Sequence, residues 1–485
     1  MAIALIVFVV LFATLSLYHV LARILLSPLA RIPGPKAFAL TKWRLAYEDY
    51  KGTRTRTLLA LHRQYGPVVR VGPREVSFSS TSALRSIYGA GSGFERTQIY
   101  HMFEVYGRKN MFSFASVREH AERKKMLAHA YAKSVILKGD VAVMVENKVR
   151  LYIDLLEREG RVSNIFRSLH YFSLDTITHF LYGAHGKTAC LEGKALDRAL
   201  LDDIINPASR RLAWFAIHLT SFTNWLYSRK GAAGHVAKYF YPMALPTAYS
   251  GIRQHAIKAS HAFAVACDQL SVNHIDSNPS LIARLWKHHR SRKGERGLDE
   301  LDIASECADH LDAGIDTTSD TAMFLIWALS RPSGRKFQQK LVEEIQGMPE
   351  QDINEDGIPK AEAADKLVYL NAVIRETLRL YAPLPASEPR SLPTTTAIDG
   401  YIIPARTVVS ISPYVLHRNP DVFLDPLDFN PDRWLDPAAN IGEMNRWFWA
   451  FSSGGRMCIG VKYALTDGMS DLPDAHAVAA LQWPR

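Results

Sequence analysis

The stretch "FSSGGRMCIG", Phe451 to Gly460, gathers three glycines and an arginine around one cysteine. A surface loop would account for the glycines and for nothing else. A thiolate that holds a metal needs a tight loop around its sulfur, donors that steady its charge and room for the bound group. Gly454 and Gly455 allow the backbone conformations of such a loop, and Gly460 leaves space where a flat ring would press on the backbone. A helix beginning at Cys458 would favour thiolate over thiol through its dipole and unpaired N–H groups. Arg456 would neutralise an acidic edge of the bound group. Written F-x-x-G-x-R-x-C-x-G from Phe451 to Gly460, the pattern has chance odds on the order of 1 in 10,000 in a chain this long.

The 485 residues are 48% hydrophobic and 22% charged, an ordinary globular balance with ample material for a core. The net charge of +10 is spread along the chain, which speaks against nucleic acid and for a membrane surface or an acidic protein partner. Cys190, Cys267, Cys307 and Cys458 form no CxxC pair and no zinc-finger spacing. Four cysteines in so long a chain make no disulfide scaffold, so the bulk is expected in a reducing compartment. Cys190, Cys267 and Cys307 read as small buried hydrophobes.

Residues Ala2 to Ala22 contain no Asp, Glu, Lys or Arg, and about 20 apolar residues are what a helix needs to cross a bilayer. A cleavable signal would start with a positive region and have a shorter apolar core, so an uncleaved anchor over 1–26 is expected. Arg23, Arg31, Lys36, Lys42 and Arg44 follow it, which puts the rest of the chain in the cytosol by the positive-inside rule. Residues 27–36, "SPLARIPGPK", read as a proline-rich hinge or a plain linker.

In the body, "GPVVRVGPREVSF" (Gly66 to Phe78) carries a hairpin signal. Ser173–Gly183, Asp302–Ser330 and Leu367–Tyr381 have helical periodicity, and strand signals return over Ala397–Ile411. The expected class is mainly α with small β-sheets. Two aromatic stretches, Leu212–Tyr227 and Tyr239–Pro246, are candidates for membrane contact, a ligand pocket or ordinary core.

"AGIDTT" (Ala313 to Thr318) puts Gly314 inside a helix at about 1 kcal/mol against alanine. Ala313 and Thr317 share a face, and with Asp316 they would make room for a small ligand and give a proton path to it. A helix–helix crossing would explain the glycine equally. "ETLR" sets Glu376 and Arg379 three apart on one helix face. That pair is a solvated one, or, with Arg433 of "FNPDRW", a buried cluster locking two distant segments.

With those residues in hand, the sequence resembles the cytochrome P450 superfamily of haem-thiolate monooxygenases. The resemblance runs in order from anchor and hinge through "AGIDTT", "ETLR" and "FNPDRW" to the cysteine loop, over a catalytic domain at 37–466. "YGPVVRVGP" and "HRNPDVF" look most like membrane-bound enzymes of filamentous fungi, many of them active in secondary metabolism. The resemblance implies haem b with Cys458 as its proximal iron ligand. It implies a distal proton-delivering pair in Asp316 and Thr317, an oxygen groove at Ala313 and Gly314, and a structural triad of Glu376, Arg379 and Arg433. Arg456 and Arg390 would pair with haem propionates. His120 and Lys124 of "HAERKK" stand where the family has Trp or His followed by Arg, and Arg123 is a substitute there.

The implied partners are a cytochrome P450 reductase that brings NADPH electrons through flavins, cytochrome b5 as a second donor, and a lipophilic small molecule. The implied place is the endoplasmic reticulum membrane. No G-x-G-x-x-G fingerprint suggests that the chain binds the nicotinamide itself.

The family's helix after the cysteine runs for several turns, followed by a hairpin that closes the pocket. Here "DGMSDLPDAHAVAALQWPR" (467–485) breaks the pattern. A shortened, inactive relative that holds no haem is therefore one competing expectation. A reductase-independent isomerase or dehydratase is the other, and the Asp316–Thr317 pair argues against it.

Overall fold

The computed structural model describes residues 2–160, 162–202, 214–215, 217–219, 221–222, 225, 231–240, 251–269, 278–291 and 297–463. The atypical tail 467–485, half of Leu212–Tyr227 and residues 241–246 lie outside the described residues. The elements that matter are α1 (Ala2–Leu21), strands β1 (Val68–Gly72) and β2 (Glu75–Phe78), α2 (Thr81–Tyr88) and β3 (Glu95–Arg96). Next come α3 (Val117–Leu127), α4 (Gly139–Glu159), α5 (Ile165–Tyr182), α6 (Gly251–Gln269), α7 (Leu281–Ser291), α8 (Glu300–Ser330) and α9 (Val368–Tyr381). Strands β4 (Arg390–Ser391), β5 (Thr396–Ile398), β6 (Tyr401–Ile403) and β7 (Val408–Ile411) follow. The expected mainly helical class with small sheets is what the chain adopts.

Two compact units share the chain. The first comprises Met1–Gln98, Pro385–Pro426 and Gly442–Arg456. It begins with α1. Residues Ile3–Leu26 are long and apolar enough to cross a bilayer, with a mean hydropathy of 2.5 and none of that stretch buried. The hinge behind it is tied down. Arg70 of β1 donates its backbone N–H to Pro33 O at 2.8 Å, while its guanidinium reaches Arg23 O at 3.0 Å and Ser27 Oγ at 3.2 Å. Gly34 has φ +152° and a Cβ there would stand 2.5 Å from Arg70 O, so the Pro-Gly-Pro run lies against β1 where no side chain fits.

The sheet of this unit runs β1-β2-β7-β4-β3, with β5-β6 as a separate hairpin. The expected hairpin over Gly66–Phe78 is β1 and β2, antiparallel with Val68 opposite Phe78. β2 also pairs in parallel with β7, Val76 opposite Val409, a partnership between segments some 330 residues apart that no local pattern announces. Leu29, Val76, Phe78, Ile87, Val409, Ile411 and Trp449 share one buried cluster here.

The second unit comprises Ile99–Leu384, Leu427–Ile441 and Met457–Arg485. Its axis is α8, 31 residues and so about 46 Å long at the helical rise. A reciprocal capping box starts it: Asp299 Oδ1 accepts from Asp302 N at 2.8 Å and Asp302 Oδ2 from Asp299 N at 3.0 Å. Asn164 caps α5 through Arg167 N at 3.2 Å. Leu174, Ile177 and Leu181 of α5 share a core with Ile303, Cys307, Leu311 and Ile315 of α8, the three- and four-residue spacing that the sequence shows. Cys190, Cys267 and Cys307 are buried as expected, and burial pushes the Cys190 and Cys307 thiols up, so both stay inert.

Candidate active site

In the second unit, Cys458 is the one exposed cysteine of the four. It precedes a helical turn at 461–463. Lys124 Nζ of α3 donates to Met457 O at 2.6 Å, which places an ammonium beside the backbone that carries the sulfur. α3 starts at Ser116, whose Oγ accepts from Glu119 N at 3.5 Å. His120 on the same helix is buried. A Cβ on Gly460 would meet Cys458 Sγ at 3.9 Å and Tyr131 Cε1 at 4.0 Å, ordinary contacts. A methyl group there would therefore touch the sulfur and the Tyr131 ring without displacing either.

Arg123 is not available as the substitute donor. It is buried and forms an ion pair with Glu306 of α8, because a buried carboxylate requires a cation. Glu306 also accepts from Met111 N at 3.1 Å and lies 3.4 Å from His310 Nε2. Tyr131 Oη closes this chain at 2.6 Å from His310 Nδ1. Burial alone would raise the Glu306 carboxyl, but His310 and Arg123 outweigh it and hold it below the ordinary range. Sequence reasoning missed Glu306, His310 and Tyr131. The four-residue spacing of Glu306 and His310 on α8 was the available signal.

The centre of α8 is open on one side. Ala313 is exposed and Thr317 half-buried, while Leu311 and Ile315 are fully buried on the opposite side. Thr317 Oγ1 donates to Ala313 O at 2.7 Å, which fixes the hydroxyl and leaves its lone pairs outward. Gly314 faces α5 instead. A Cβ there would stand 2.6 Å from Ile177 Cγ1 and 2.8 Å from Ile177 Cδ1. The helix-crossing explanation therefore accounts for this glycine, and the open groove is Ala313's. Asp316 lies with Oδ1 3.4 Å from Nε2 of His170 on α5.

Glu376, Arg379 and Arg433 come together in the same unit, fully or nearly buried. Arg379 grips the carboxylate with both arms, Nε to Oε2 at 2.9 Å and Nη2 to Oε1 at 2.8 Å. Arg433 Nε adds Oε1 at 3.0 Å. Trp434 Nε1 at 3.0 Å and Asn430 N at 2.9 Å complete the acceptor's shell, and Asp428 O accepts from both guanidiniums at 3.1 and 3.3 Å. The proline-fixed turn of "FNPDRW" delivers these groups together. Trp434 and Asn430 were not among the sequence candidates, though they belong to the quoted motif.

In the first unit, the start of the cysteine loop is anchored next to Arg390. Glu388 Oε2 accepts from Arg390 Nη2 at 2.9 Å and from Ser452 Oγ at 3.0 Å. The buried Arg390 guanidinium also lies over the Tyr88 ring at 5.1 Å, and Arg96 stands opposite it in the β3–β4 register. Gly454 has φ +62° and a Cβ would strike Tyr88 O at 2.3 Å, so this residue has to be glycine. Gly455 has neither constraint, which corrects the equal role expected for the two. Phe451 and Arg456 are half-buried in the same loop.

The residues fit haem. An exposed cysteine stands in a loop tied to Lys124, Gly460 beside it carries no side chain, and the middle of α8 is exposed at Ala313. A sequence model of the family described as cytochrome P450 matches residues 33–467. The cytochrome P450 monooxygenase orf2 of Aspergillus niger is 28% identical over 469 residues, covering 93% of this chain and 86% of that one. The cytochrome P450 monooxygenase aflV of Aspergillus parasiticus is 28% identical, covering 90% and 81%. The corresponding stcB protein of Emericella nidulans is 27% identical, covering 90% and 79%. A match through nearly the whole body, ending beyond the cysteine loop whose geometry is described above, makes this chain a member of the cytochrome P450 family, whose cofactor is haem iron.

Proposed function

We propose that this chain is a membrane-anchored haem-thiolate monooxygenase that inserts one atom of O2 into a lipophilic small molecule; the relatives named as cytochrome P450 monooxygenases support the reaction class. Substrate R–H, O2, two electrons and two protons give R–OH and water. The electrons come from NADPH through a separate flavin-bearing reductase, with cytochrome b5 as a second donor. When bound, haem supplies the reduction of O2 and the oxygen transfer.

The exposed thiol of Cys458 carries the reading: it is the ligand. Lys124 steadies the carbonyl beside it, and Arg390, Arg456 and His120 serve the acidic edge of the cofactor. Phe451 and Gly460 shape the space around the sulfur. Ala313 leaves room on the distal side. The Thr317 hydroxyl, fixed on Ala313 O, orients a proton there, and Asp316 is its source. Glu376, Arg379 and Arg433 are positioning residues. The span at Ile3–Leu26 supports a chain held at a lipid phase with its body in the cytosol, on the endoplasmic reticulum, where lipophilic substrates partition. The fungal origin of the relatives supports a place in secondary metabolism.

The test is the difference spectrum of the full anchored chain, reduced and exposed to carbon monoxide. A strongly red-shifted thiolate-type Soret band is expected, and Cys458→Ser should abolish it while leaving the chain folded. A purified chain without haem, or a band unchanged in Cys458→Ser, overturns the proposal.

A further inference from the structure

We propose that Glu306 and His310 of α8 are positioning residues for Cys458, holding the backbone on both sides of the sulfur through two chains of contacts. The chains stand on the structure alone; their consequence for haem rests on the function proposed above.

Glu306 and His310 are four residues apart and share a face of α8 with Ala313, three residues further on. Both are buried. The first chain leaves from Glu306. Its carboxylate pairs with the Arg123 guanidinium of α3 and accepts from Met111 N at 3.1 Å. The next residue along α3, Lys124, donates to Met457 O at 2.6 Å, directly before the cysteine. The buried residues of α3 are His120, Arg123 and Leu127. Only Leu127 is apolar, so no buried apolar stripe fixes the rotation of this helix, and the buried ion pair takes that part. Lys124 depends on it. A lysine stem gives up rotamer freedom to hold one carbonyl, and a helix already fixed at the neighbouring residue leaves only that stem to be ordered.

The second chain leaves from His310. Its Nδ1 lies 2.6 Å from Tyr131 Oη, and the two rings stack with centroids 5.4 Å apart. Tyr131 packs edge-on against Phe180 of α5 at 5.2 Å, and Phe180 packs against Tyr463 at 4.8 Å. Tyr463 closes the helical turn at 461–463 that follows Cys458. These three aromatic residues share a buried core with Leu311 and Ile315 of α8. The sulfur thus stands between a hydrogen bond at Met457 and a ring contact at Tyr463, and both lead back to one turn of α8. His310 Nε2, 3.4 Å from Glu306 Oε1, joins the chains at their origin.

Hydrogen exchange reports local opening and separates this role from a general contribution to stability. It is measured on the full anchored chain for the wild type, Glu306→Gln, Lys124→Met, the double variant and Tyr131→Phe. Glu306→Gln keeps an acceptor for Met111 N and removes the charge that holds Arg123. Amides over 457–463 are expected to exchange several-fold faster in it, while those over 428–434, beside the Glu376 cluster, keep the wild-type rate. The double variant should exchange no faster than Lys124→Met, because the ion pair acts through that lysine. Unchanged exchange over 457–463, an equal rise in both segments, or independent effects in the double variant overturns the first chain. Tyr131→Phe keeps the ring and loses only the hydrogen bond to His310, so it gives a reading even where Glu306→Gln does not fold. A several-fold rise over 461–463 is expected there, and wild-type exchange overturns the second chain.

The consequence for haem is read separately. In a chain that gives the carbon monoxide band, Glu306→Gln should move part of that band away from the thiolate position. A band left wholly at the thiolate position overturns the positioning role and leaves the proposed function intact. A wild type without the band overturns the proposed function, and the exchange rates still decide the two chains.

Discussion

The Glu376 cluster and the middle of α8 are both polar sites inside the same unit, and they are built on opposite principles. Around Glu376 each carboxylate oxygen accepts at least two donors, and two arginines, a tryptophan and a backbone amide converge on it. At Ala313–Thr317 the polar groups lie on a partly exposed helix face. Thr317 is fixed by a backbone carbonyl, and Asp316, its side chain 41% exposed, stands 3.4 Å from His170. A saturated polar cluster in a low-dielectric interior specifies structure. A polar group on an exposed helix face stays within reach of a ligand. The comparison gives a physical criterion for separating positioning residues from reacting ones in this chain.

The sharpest way to break the comparison is Glu376→Gln. It removes one charge and strands two buried guanidiniums, and a loss of about 3–5 kcal/mol is expected. A melting midpoint near that of the wild type would show that the cluster is not the lock described. Next is Gly314→Ala. The added carbon meets Ile177, an overpacking cost of about 1–3 kcal/mol against a helix-propensity gain of about 1. Combining it with Ile177→Ala should give less than the sum of the single losses. Additive losses would mean that α5 and α8 do not meet there.

The smallest effect on folding is expected from Thr317→Ala, whose side chain faces the opening: within about 0.5 kcal/mol. Product formed per NADPH should nonetheless fall several-fold. A variant that couples as well as the wild type would remove Thr317 from the proton path.

Much of this was legible before any coordinates. The cysteine loop is readable because its demands are local: Gly454 must be left-handed and must clear Tyr88 O, and only glycine meets both. The helices are readable because apolar residues recur every three to four positions along α5, α8 and α9. Arg379 could be assigned to Glu376 because they are one helical turn apart. Arg123 could not be assigned, since its carboxylate, Glu306, is 183 residues away, and the family resemblance offered it as a cofactor donor. Gly314 was ambiguous for the same reason. Its neighbour Ile177 belongs to another helix, and a sequence shows the absence of a side chain but not what takes its place.

The sequence by itself therefore determined what depends on neighbours along the chain: the apolar span, the periodic helices, the β1–β2 hairpin and the cysteine loop. Tertiary structure decided which distant partners those elements meet: β2 with β7, Arg123 with Glu306, Trp434 with Glu376, and His170 with Asp316. The physical reason is that local geometry follows from backbone sterics and residue spacing. The pairing of buried charges follows from which surfaces pack, and a buried charge takes the partner that packing brings within reach.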